Sequence, residues 1–184
     1  MNKLNEKKLK RLKEVATELF ITRGYKDVTL DEIAQRTSIS KMTIYKHYDS
    51  KEELFEEIVI NLMYFHINTV TEELNRIESA FEKIEFILDY DIKIFKRYPL
   101  IFFKDIMGLP FVMKKAIEVL GEQGNGIVTK ILNEGVKKGE IREINTEFAS
   151  ELLMKLPRLF KDEIAIADET KINWIMENLY NFIE

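Results

Sequence analysis

Apolar residues recur every three or four positions along almost the whole of this 184-residue chain, which is the spacing of one face of an α-helix. Almost no segment alternates apolar and polar residues in the way that a half-buried strand requires. Pro99 and Pro110 stand where helices can begin, because proline fits the first helical turn. The sequence therefore predicts an all-α fold of about nine helices.

The first predicted helices are short and closely spaced. They cover residues 4–22, 30–37 and 41–47, and Thr29 and Ser40 are placed to cap the second and third. A fourth helix begins after Asp49-Ser50 and runs to about residue 75. The later predicted helices cover residues 79–98, 99–107, 111–138, 147–163 and 170–184, and Gly121, Gly124 and Gly126 bend or interrupt the longest of them.

Charge divides the chain into a basic head and an acidic body. Residues 1–51 hold 12 Lys and Arg against 7 Asp and Glu, a net charge of +5. Residues 52–184 carry −9, which leaves the whole chain at −4. The total alone argues against a nucleic-acid partner, whereas the positive head favours one.

The second and third predicted helices, with the turn between them, have the arrangement of a helix-turn-helix, whose second helix enters the major groove of DNA. Ile33, Ala34, Ile39 and Ile44 can pack together and fix the crossing of the two helices. Ser40 and the amides after it are placed to meet a phosphate. The free face of the third helix then carries side chains that reach phosphates and base edges, namely Lys41, Met42, Thr43, Tyr45 and Lys46.

Residues 28–54, VTLDEIAQRTSISKMTIYKHYDSKEEL, closely resemble the DNA-binding signature of TetR-family transcriptional regulators. The resemblance combines a T-x-x-x-I-A opening, an S-K-x-T-x-Y-x-H-[FY] core and a K-x-x-L exit at fixed offsets. Two residues depart from the pattern, because Ser38 and Met42 stand where the family commonly has glycine. We expect a left-handed backbone at Ser38 and, at Met42, an altered preference for operator sequence.

The resemblance implies which residues contact DNA: Thr29, Lys41, Thr43, Tyr45, His47 and Lys51. Tyr45, His47 and Lys51 are expected to bind mainly phosphates. A helix of this composition could also be a solvated face, with Tyr45 and His47 as packing residues, and it is the complete spacing together with the +5 head that favours DNA contact.

In the body, an acidic residue interrupts an apolar helix face. Asp91 lies between Leu88 and Phe95 on the predicted helix 79–98, and His66 shares a similar apolar face on the fourth helix. Asp91 is either a satisfied internal carboxylate, bonded to His66 or to a lysine, or part of a pocket for a small-molecule inducer. The pocket hypothesis groups Phe65, His66, Tyr90, Asp91, Phe95, Phe102, Phe103 and Phe111.

The last two predicted helices, 147–163 and 170–184, are apolar around more than one face. One apolar face can pack in the core of the protomer, and the remaining apolar surface requires a partner to cover it. In the TetR family the corresponding pair forms a four-helix dimer interface, so the resemblance implies a homodimer on a two-fold operator.

Composition excludes several other classes of protein. The absence of cysteine excludes disulfides, thiol catalysis and Cys-ligated metals, and two histidines leave little for a metal site. No E-x-x-H pair surrounds His66, so we expect no enzyme, cofactor or metal. A helical protein–protein adaptor remains as the alternative, and salt-dependent DNA binding distinguishes it. A charged amino terminus and short apolar runs predict no secretory signal, no membrane span and a cytoplasmic location.

These observations predict a ligand-responsive, homodimeric transcriptional regulator of two domains. Residues 1–50 are expected to form the helix-turn-helix DNA-binding domain. Residues 51–184 are expected to form the helical domain for ligand binding and dimerisation. The predicted partners are a double-stranded DNA operator, an unidentified small-molecule inducer and a second copy of the chain.

Overall fold

The computed structural model describes residues 6–121 and 125–159, and within them the chain folds into nine helices and no strand. The helices are α1 Glu6–Arg23, α2 Leu30–Thr37, α3 Lys41–Tyr45, α4 Lys51–Leu74, α5 Ala80–Arg97, α6 Leu100–Gly108, α7 Pro110–Val119, α8 Asn125–Lys138 and α9 Thr146–Leu159. The prediction of an all-α fold is confirmed.

One helix differs from the sequence prediction. Helix α3 ends at Tyr45 and not at residue 47, because the chain turns there and the N–H groups of His47 and Tyr48 both donate to the carbonyl of Ile44. The region predicted as helix 111–138 contains α7 and α8, in line with the bend or interruption expected at its glycines, and residues 122–124 lie outside the description. The predicted helix 170–184 also lies outside the described residues.

The described residues form two compact units. Unit 1 contains the chain up to Tyr64 together with Tyr98–Ile117, and unit 2 contains Phe65–Arg97 and the described residues from Glu118 onward. The first half of α4 belongs to unit 1 because Leu54 and Phe55 are fully buried in its core. The functional boundary predicted after residue 50 stays a prediction.

Unit 1 is built around the apolar faces of α1, α2 and α4. Phe20 and Phe55 are fully buried and meet edge to face, with ring centroids 5.0 Å apart. Ile33 and Ile44 are also fully buried, and Ile39 between them is 5% exposed. The predicted packing of the turn against both of its helices is therefore confirmed.

Side-chain caps define the beginnings of α2, α3 and α4. The Thr29 hydroxyl accepts a hydrogen bond from the N–H of Glu32, and the Ser40 hydroxyl accepts one from the N–H of Thr43, each at 3.2 Å. Ser50 does the same for Glu53 at 3.1 Å. These bonds satisfy amides that have no partner inside the helix, and so the three helix starts follow from local sequence.

Ser38 adopts the left-handed conformation expected from the sequence, with φ 55° and ψ 32°. The conformation lets the N–H of Ile39 donate to the carbonyl of Ala34 at 3.1 Å, which closes the end of α2. A residue with a Cβ atom is strained in this region, whereas glycine is not. The turn between α2 and α3 therefore stores a small strain at one position.

A second turn in unit 1 depends on glycine. Gly24 ends α1 with φ +83°, and a Cβ atom placed there would lie 2.7 Å from the side chain of Ile101. Beside it, the Asp105 carboxylate accepts a hydrogen bond from the N–H of Tyr25 at 2.6 Å. Helix α6 therefore packs directly on the turn that follows α1.

Unit 2 has its own core of aliphatic side chains from α4, α5, α8 and α9. Leu132 is fully buried, and Leu74, Ile84 and Leu88 are at most 9% exposed. The Glu140 carboxylate caps the start of α5 by accepting from the N–H of Ala80 at 2.6 Å. Unit 2 is thus a separate helical core that holds the residues around His66 and Asp91.

Part of the predicted dimer surface lies on α9. Phe148 is 63% exposed and Leu152 is 38% exposed, whereas Leu153 faces the core of unit 2. The rest of the two predicted interface helices, from residue 154 onward, lies outside the described side chains. Across the described residues, no helix is long and apolar enough to cross a membrane.

Replacing Ser38 with glycine should stabilise the protein. Relief of the left-handed strain, about 1–2 kcal/mol, exceeds the entropic cost of a glycine, about 0.5–1 kcal/mol. We expect Ser38→Gly to raise the free energy of unfolding in urea by about 0.5–1 kcal/mol. The matched control, Gln35→Gly inside α2, should lower it by about 1 kcal/mol. Equal destabilisation by both variants would contradict the strain at Ser38.

Candidate nucleic-acid interface

Helix α3 has one buried side and one open side. Ile44 is fully buried, which anchors the helix, while Met42 is 70% exposed and Tyr45 is 47% exposed. Monomeric proteins usually bury or scatter such large apolar side chains, and two of them on one short helix form a surface for contact. This exposed side carries the residues that the sequence predicts to read DNA.

The beginning of α3 is held by a pair of hydroxyl groups. The Ser40 oxygen lies 2.7 Å from the Thr43 hydroxyl, in addition to capping the Thr43 amide. Both residues retain contact with solvent. Thr43 is therefore held in place at the start of α3, and the methyl group of a threonine can pack on a thymine methyl.

Lys41, the first residue of α3, is paired with an acidic residue of α2. Its ammonium donates to the Asp31 carboxylate at 2.8 Å, and both side chains are largely exposed. This hydrogen bond to Asp31 raises the pKa of Lys41. Lysine has three donors, so Lys41 can bind further acceptors while the pair is intact.

Lys51 serves the structure of the head directly. Its ammonium donates to the carbonyls of Tyr25 at 2.8 Å and Val28 at 3.0 Å, and lies 4.1 Å from the Tyr25 ring centroid. The Tyr25 hydroxyl in turn donates to Glu52, and burial raises the pKa of Tyr25. Lys51 therefore fixes the loop that precedes Thr29, in addition to any contact with phosphate.

The remaining predicted residues lie at the edges of the same surface. Thr29 is exposed at the start of α2, Lys46 is exposed in the turn after α3, and His47 is partly exposed beside it. The nine candidates lie on α3, at the positions next to α2 and α3, or at the first residue of α4. They are Thr29, Ser40, Lys41, Met42, Thr43, Tyr45, Lys46, His47 and Lys51.

Sequence reasoning missed the acidic side chains that organise the basic ones. Glu32 binds Arg23 and also Arg36, the latter at 3.2 Å, and Asp31 binds Lys41. The Arg36 pair has the i, i+4 spacing that the sequence could have revealed. The Asp31 pair depends on the crossing of α2 and α3, and its ten-residue separation carries no local signal.

The pocket candidates in unit 2 include one polar pair. The Nδ1 atom of His66 lies 2.8 Å from the Tyr90 hydroxyl, and burial lowers the pKa of His66. Phe65 stacks edge to face on His66 and is 57% exposed. Tyr90 is therefore one bonding partner of His66, a contact that the sequence alternatives, with His66 or a lysine bonded to Asp91, did not include.

Asp91 is a carboxylate without a bonding partner among the described residues. Burial raises its pKa from 3.8 to about 6. The side chain is half-buried, and its partial loss of hydration disfavours the charged carboxylate, which therefore retains its proton to higher pH. The satisfied alternative, in which His66 or a lysine bonds Asp91, has no support in the described side chains.

The other aromatic candidates divide between the two units. Phe95 lies on α5 in unit 2, while Phe102, Phe103 and Phe111 belong to unit 1. Phe102 is buried against Phe55 with ring centroids 6.1 Å apart, and Phe111 lies 6.4 Å from the Tyr25 ring. These two rings already serve the core of unit 1. The single pocket drawn from all eight residues stays a prediction.

Comparison with known sequences identifies the N-terminal region. Residues 12–58 match the family model described as bacterial regulatory proteins, tetR family. The biofilm operon icaADBC HTH-type negative transcriptional regulator IcaR of Staphylococcus epidermidis is 32% identical over 87 residues, 45% of this chain and 47% of that protein. The match thus spans about half the length of that relative.

Two further proteins are similar over most of the chain. The uncharacterized HTH-type transcriptional regulator YhgD of Bacillus subtilis is 26% identical over 156 residues, 83% of this chain and 81% of that protein. The crystal structure of the transcriptional regulator FadR from Bacillus subtilis in complex with stearoyl-CoA has a TM-score of 0.75 and 19% identity. It covers 96% of this chain and 100% of that one. At this identity the structural likeness concerns the fold alone.

Replacing Asp91 with asparagine should stabilise the protein at neutral pH. Between pH 4 and pH 6 the folded protein keeps a proton on Asp91 that the unfolded chain has released, so stability falls as pH rises through this window. Asparagine resembles the neutral carboxyl and removes this loss, which we estimate at about 1–2 kcal/mol.

Urea unfolding of Asp91→Asn at pH 7.5 and near pH 4 measures this effect. We expect the variant to be more stable than the wild type at pH 7.5, with the difference shrinking towards pH 4. Asp89→Asn, an exposed carboxylate on the same helix, serves as the control. An equal effect of both substitutions would argue against a buried charge at residue 91.

Proposed function

We propose that this chain, whose residues 12–58 match the tetR family model of bacterial regulatory proteins, is a DNA-binding transcriptional regulator of that family, and that it acts as a ligand-responsive repressor and binds a palindromic operator as a homodimer. The observation that carries the proposal is the open side of α3. Ile44 is fully buried while Met42 and Tyr45 project, and this presents a short helix in the manner of a recognition helix. The negative regulation named for the relative IcaR supports the repressor assignment.

The protein would make two kinds of contact with the operator, one with phosphates and one with base edges. Tyr45 at the end of α3, and Thr29, Lys46 and His47 outside it, suit phosphates, which set position without reading sequence. Lys41, Met42 and Thr43 lie in the first turn of α3 and suit base edges, where lysine meets guanine and Met or Thr meets a thymine methyl. Met42 brings bulk close to the bases, and so it should shape the preferred sequence.

The dimer would place two such helices on adjacent turns of the duplex. Phe148 and Leu152 are exposed four residues apart on α9, which is a favourable spacing for a packing surface. A two-fold dimer requires half-sites separated by about one helical turn of DNA or a multiple of it. The charge distribution supports the same arrangement, because the −9 body is repelled by DNA and the +5 head is attracted.

A ligand bound in the body would act by population shift. It must bind more tightly to one spacing of the two heads than to the other. Helix α4 suits the role of transmitter, since it contributes Leu54 and Phe55 to the core of unit 1 and Leu74 to the core of unit 2. With DNA as its target, the protein would work in the cytoplasm.

Selection of bound sequences from random duplexes tests the proposed function. We expect enrichment of an inverted repeat, and the distance between its halves gives the spacing of the two reading helices. Enrichment of no sequence would refute the assignment and favour the adaptor alternative. The selected duplex, and a shuffled duplex of equal composition, then serve as probes.

Removing a flanking cation should weaken binding without changing sequence preference. We expect Lys46→Ala to lower affinity for selected and shuffled duplexes alike, and to reduce the slope of log affinity against log salt by about 0.9. The control, Lys96→Ala, removes the same charge from an exposed position on α5. A change of preferred sequence in Lys46→Ala would contradict a phosphate contact at this residue.

Asp91 should determine which ligands the body accepts. A buried carboxylate favours cationic or hydroxyl-bearing compounds, and a bound ligand raises the melting temperature by mass action. A panel of such compounds is first screened for those that raise the melting temperature of the wild type and release it from the selected duplex. We expect these compounds to have neither effect on Asp91→Asn. Asp89→Asn should retain them. Unaltered responses in Asp91→Asn would exclude Asp91 from the ligand site, while operator binding without ligand should persist in both variants.

A further inference from the structure

The pair formed by Asp31 and Lys41 joins the two helices of the helix-turn-helix on its outer surface. Asp31 lies in the first turn of α2, two residues after Thr29, and Lys41 is the first residue of α3. Their charged groups are 2.8 Å apart, and the side chains are 69% and 45% exposed. The pair therefore lies where a bound duplex would come closest, among the residues proposed to contact it.

An acidic side chain is unfavourable on a DNA-binding surface unless another group neutralises its charge. Phosphates repel a free carboxylate, and the proposed phosphate contact at Thr29 is only two residues away. Pairing with Lys41 neutralises the carboxylate, but it also withholds one full positive charge from the DNA backbone. The net effect of Asp31 is thus to reduce the attraction that does not depend on sequence.

The same bond restricts where the lysine can point. A free lysine is a flexible point charge that binds any phosphate within reach. Held by Asp31 through one donor, the Lys41 ammonium keeps two donors, and the two acceptors of guanine, N7 and O6, accept such a pair. A base-edge contact is therefore compatible with the intact pair, whereas a swing towards phosphate has to break it.

We propose that Asp31 is a specificity-determining residue, which holds Lys41 towards the base edges and suppresses binding to DNA that lacks the operator. This inference rests on the proposed function. Asp31 acts through Lys41 and is a positioning residue, and the partner that it discriminates against is duplex DNA of arbitrary sequence.

The test compares binding to the selected and the shuffled duplex at several salt concentrations. In Asp31→Asn we expect affinity for the shuffled duplex to rise about three- to tenfold, and its salt slope to steepen by about 0.9, because Lys41 is freed for one more phosphate. Affinity for the selected duplex should change by less than about twofold, so the ratio of the two affinities falls. Asp31→Glu keeps the charge and should retain most of the ratio.

Two controls separate positioning from general charge and from folding. Glu18→Gln makes the same change of charge at an exposed position on α1, and should leave the ratio as in the wild type. In a Lys41→Ala background, Asp31→Asn should no longer lower the ratio, because the residue that it positions is absent. Melting temperatures verify that the variants fold, and the 69% exposure of Asp31 predicts that they do.

Each result has a definite meaning. The role of Asp31 is overturned if Asp31→Asn and Glu18→Gln have the same ratio of affinities for the selected and shuffled duplexes. It is also overturned if Asp31→Asn still lowers that ratio in the Lys41→Ala background. The proposed function stands in both cases. If the wild type itself binds no selected duplex more tightly than the shuffled one, the proposed function fails, and the inference fails with it.

Discussion

The burial of Ile44 is the contact on which the DNA-binding surface depends. Helix α3 has only five residues, too few to be stable alone, so its conformation comes from packing and not from propensity. With Ile44 fully buried in the same core as Ile33, the helix has one allowed rotation about its axis. That rotation turns Met42 and Tyr45 outward, and it also brings Lys41 to Asp31.

Hydrogen bonds between distant residues hold the turns around this core. Lys51 ties the loop before α2 to the start of α4, and Asp105 ties the turn after α1 to α6. Each bond satisfies a backbone group that no helix could satisfy, which is why these connections keep a defined shape. The left-handed turn at Ser38 is held differently, by a hydrogen bond between two backbone groups, the N–H of Ile39 and the carbonyl of Ala34.

In unit 2 the informative feature is Asp91, a half-buried carboxyl group with a raised pKa. His66 finds its partner in Tyr90, whereas burial alone governs Asp91 and raises its pKa to about 6. Partial loss of hydration disfavours the charged form of Asp91, so the stability of the protein depends on pH between about 4 and 6.

The sequence by itself determined most of the helices and the match of residues 12–58 to the tetR family model, since caps, glycines and apolar spacing act within a few residues. Thr29, Ser40 and Ser50 placed three helix starts, and residues 28–54 carried the DNA-binding signature. Only the tertiary structure decided how those elements meet. It bonded His66 to Tyr90, placed Phe102 in the core of unit 1 with Phe111 packed against that core, and paired Asp31 with Lys41. Such contacts join residues far apart along the chain, and their geometry follows from the packing of whole helices, which no local pattern encodes.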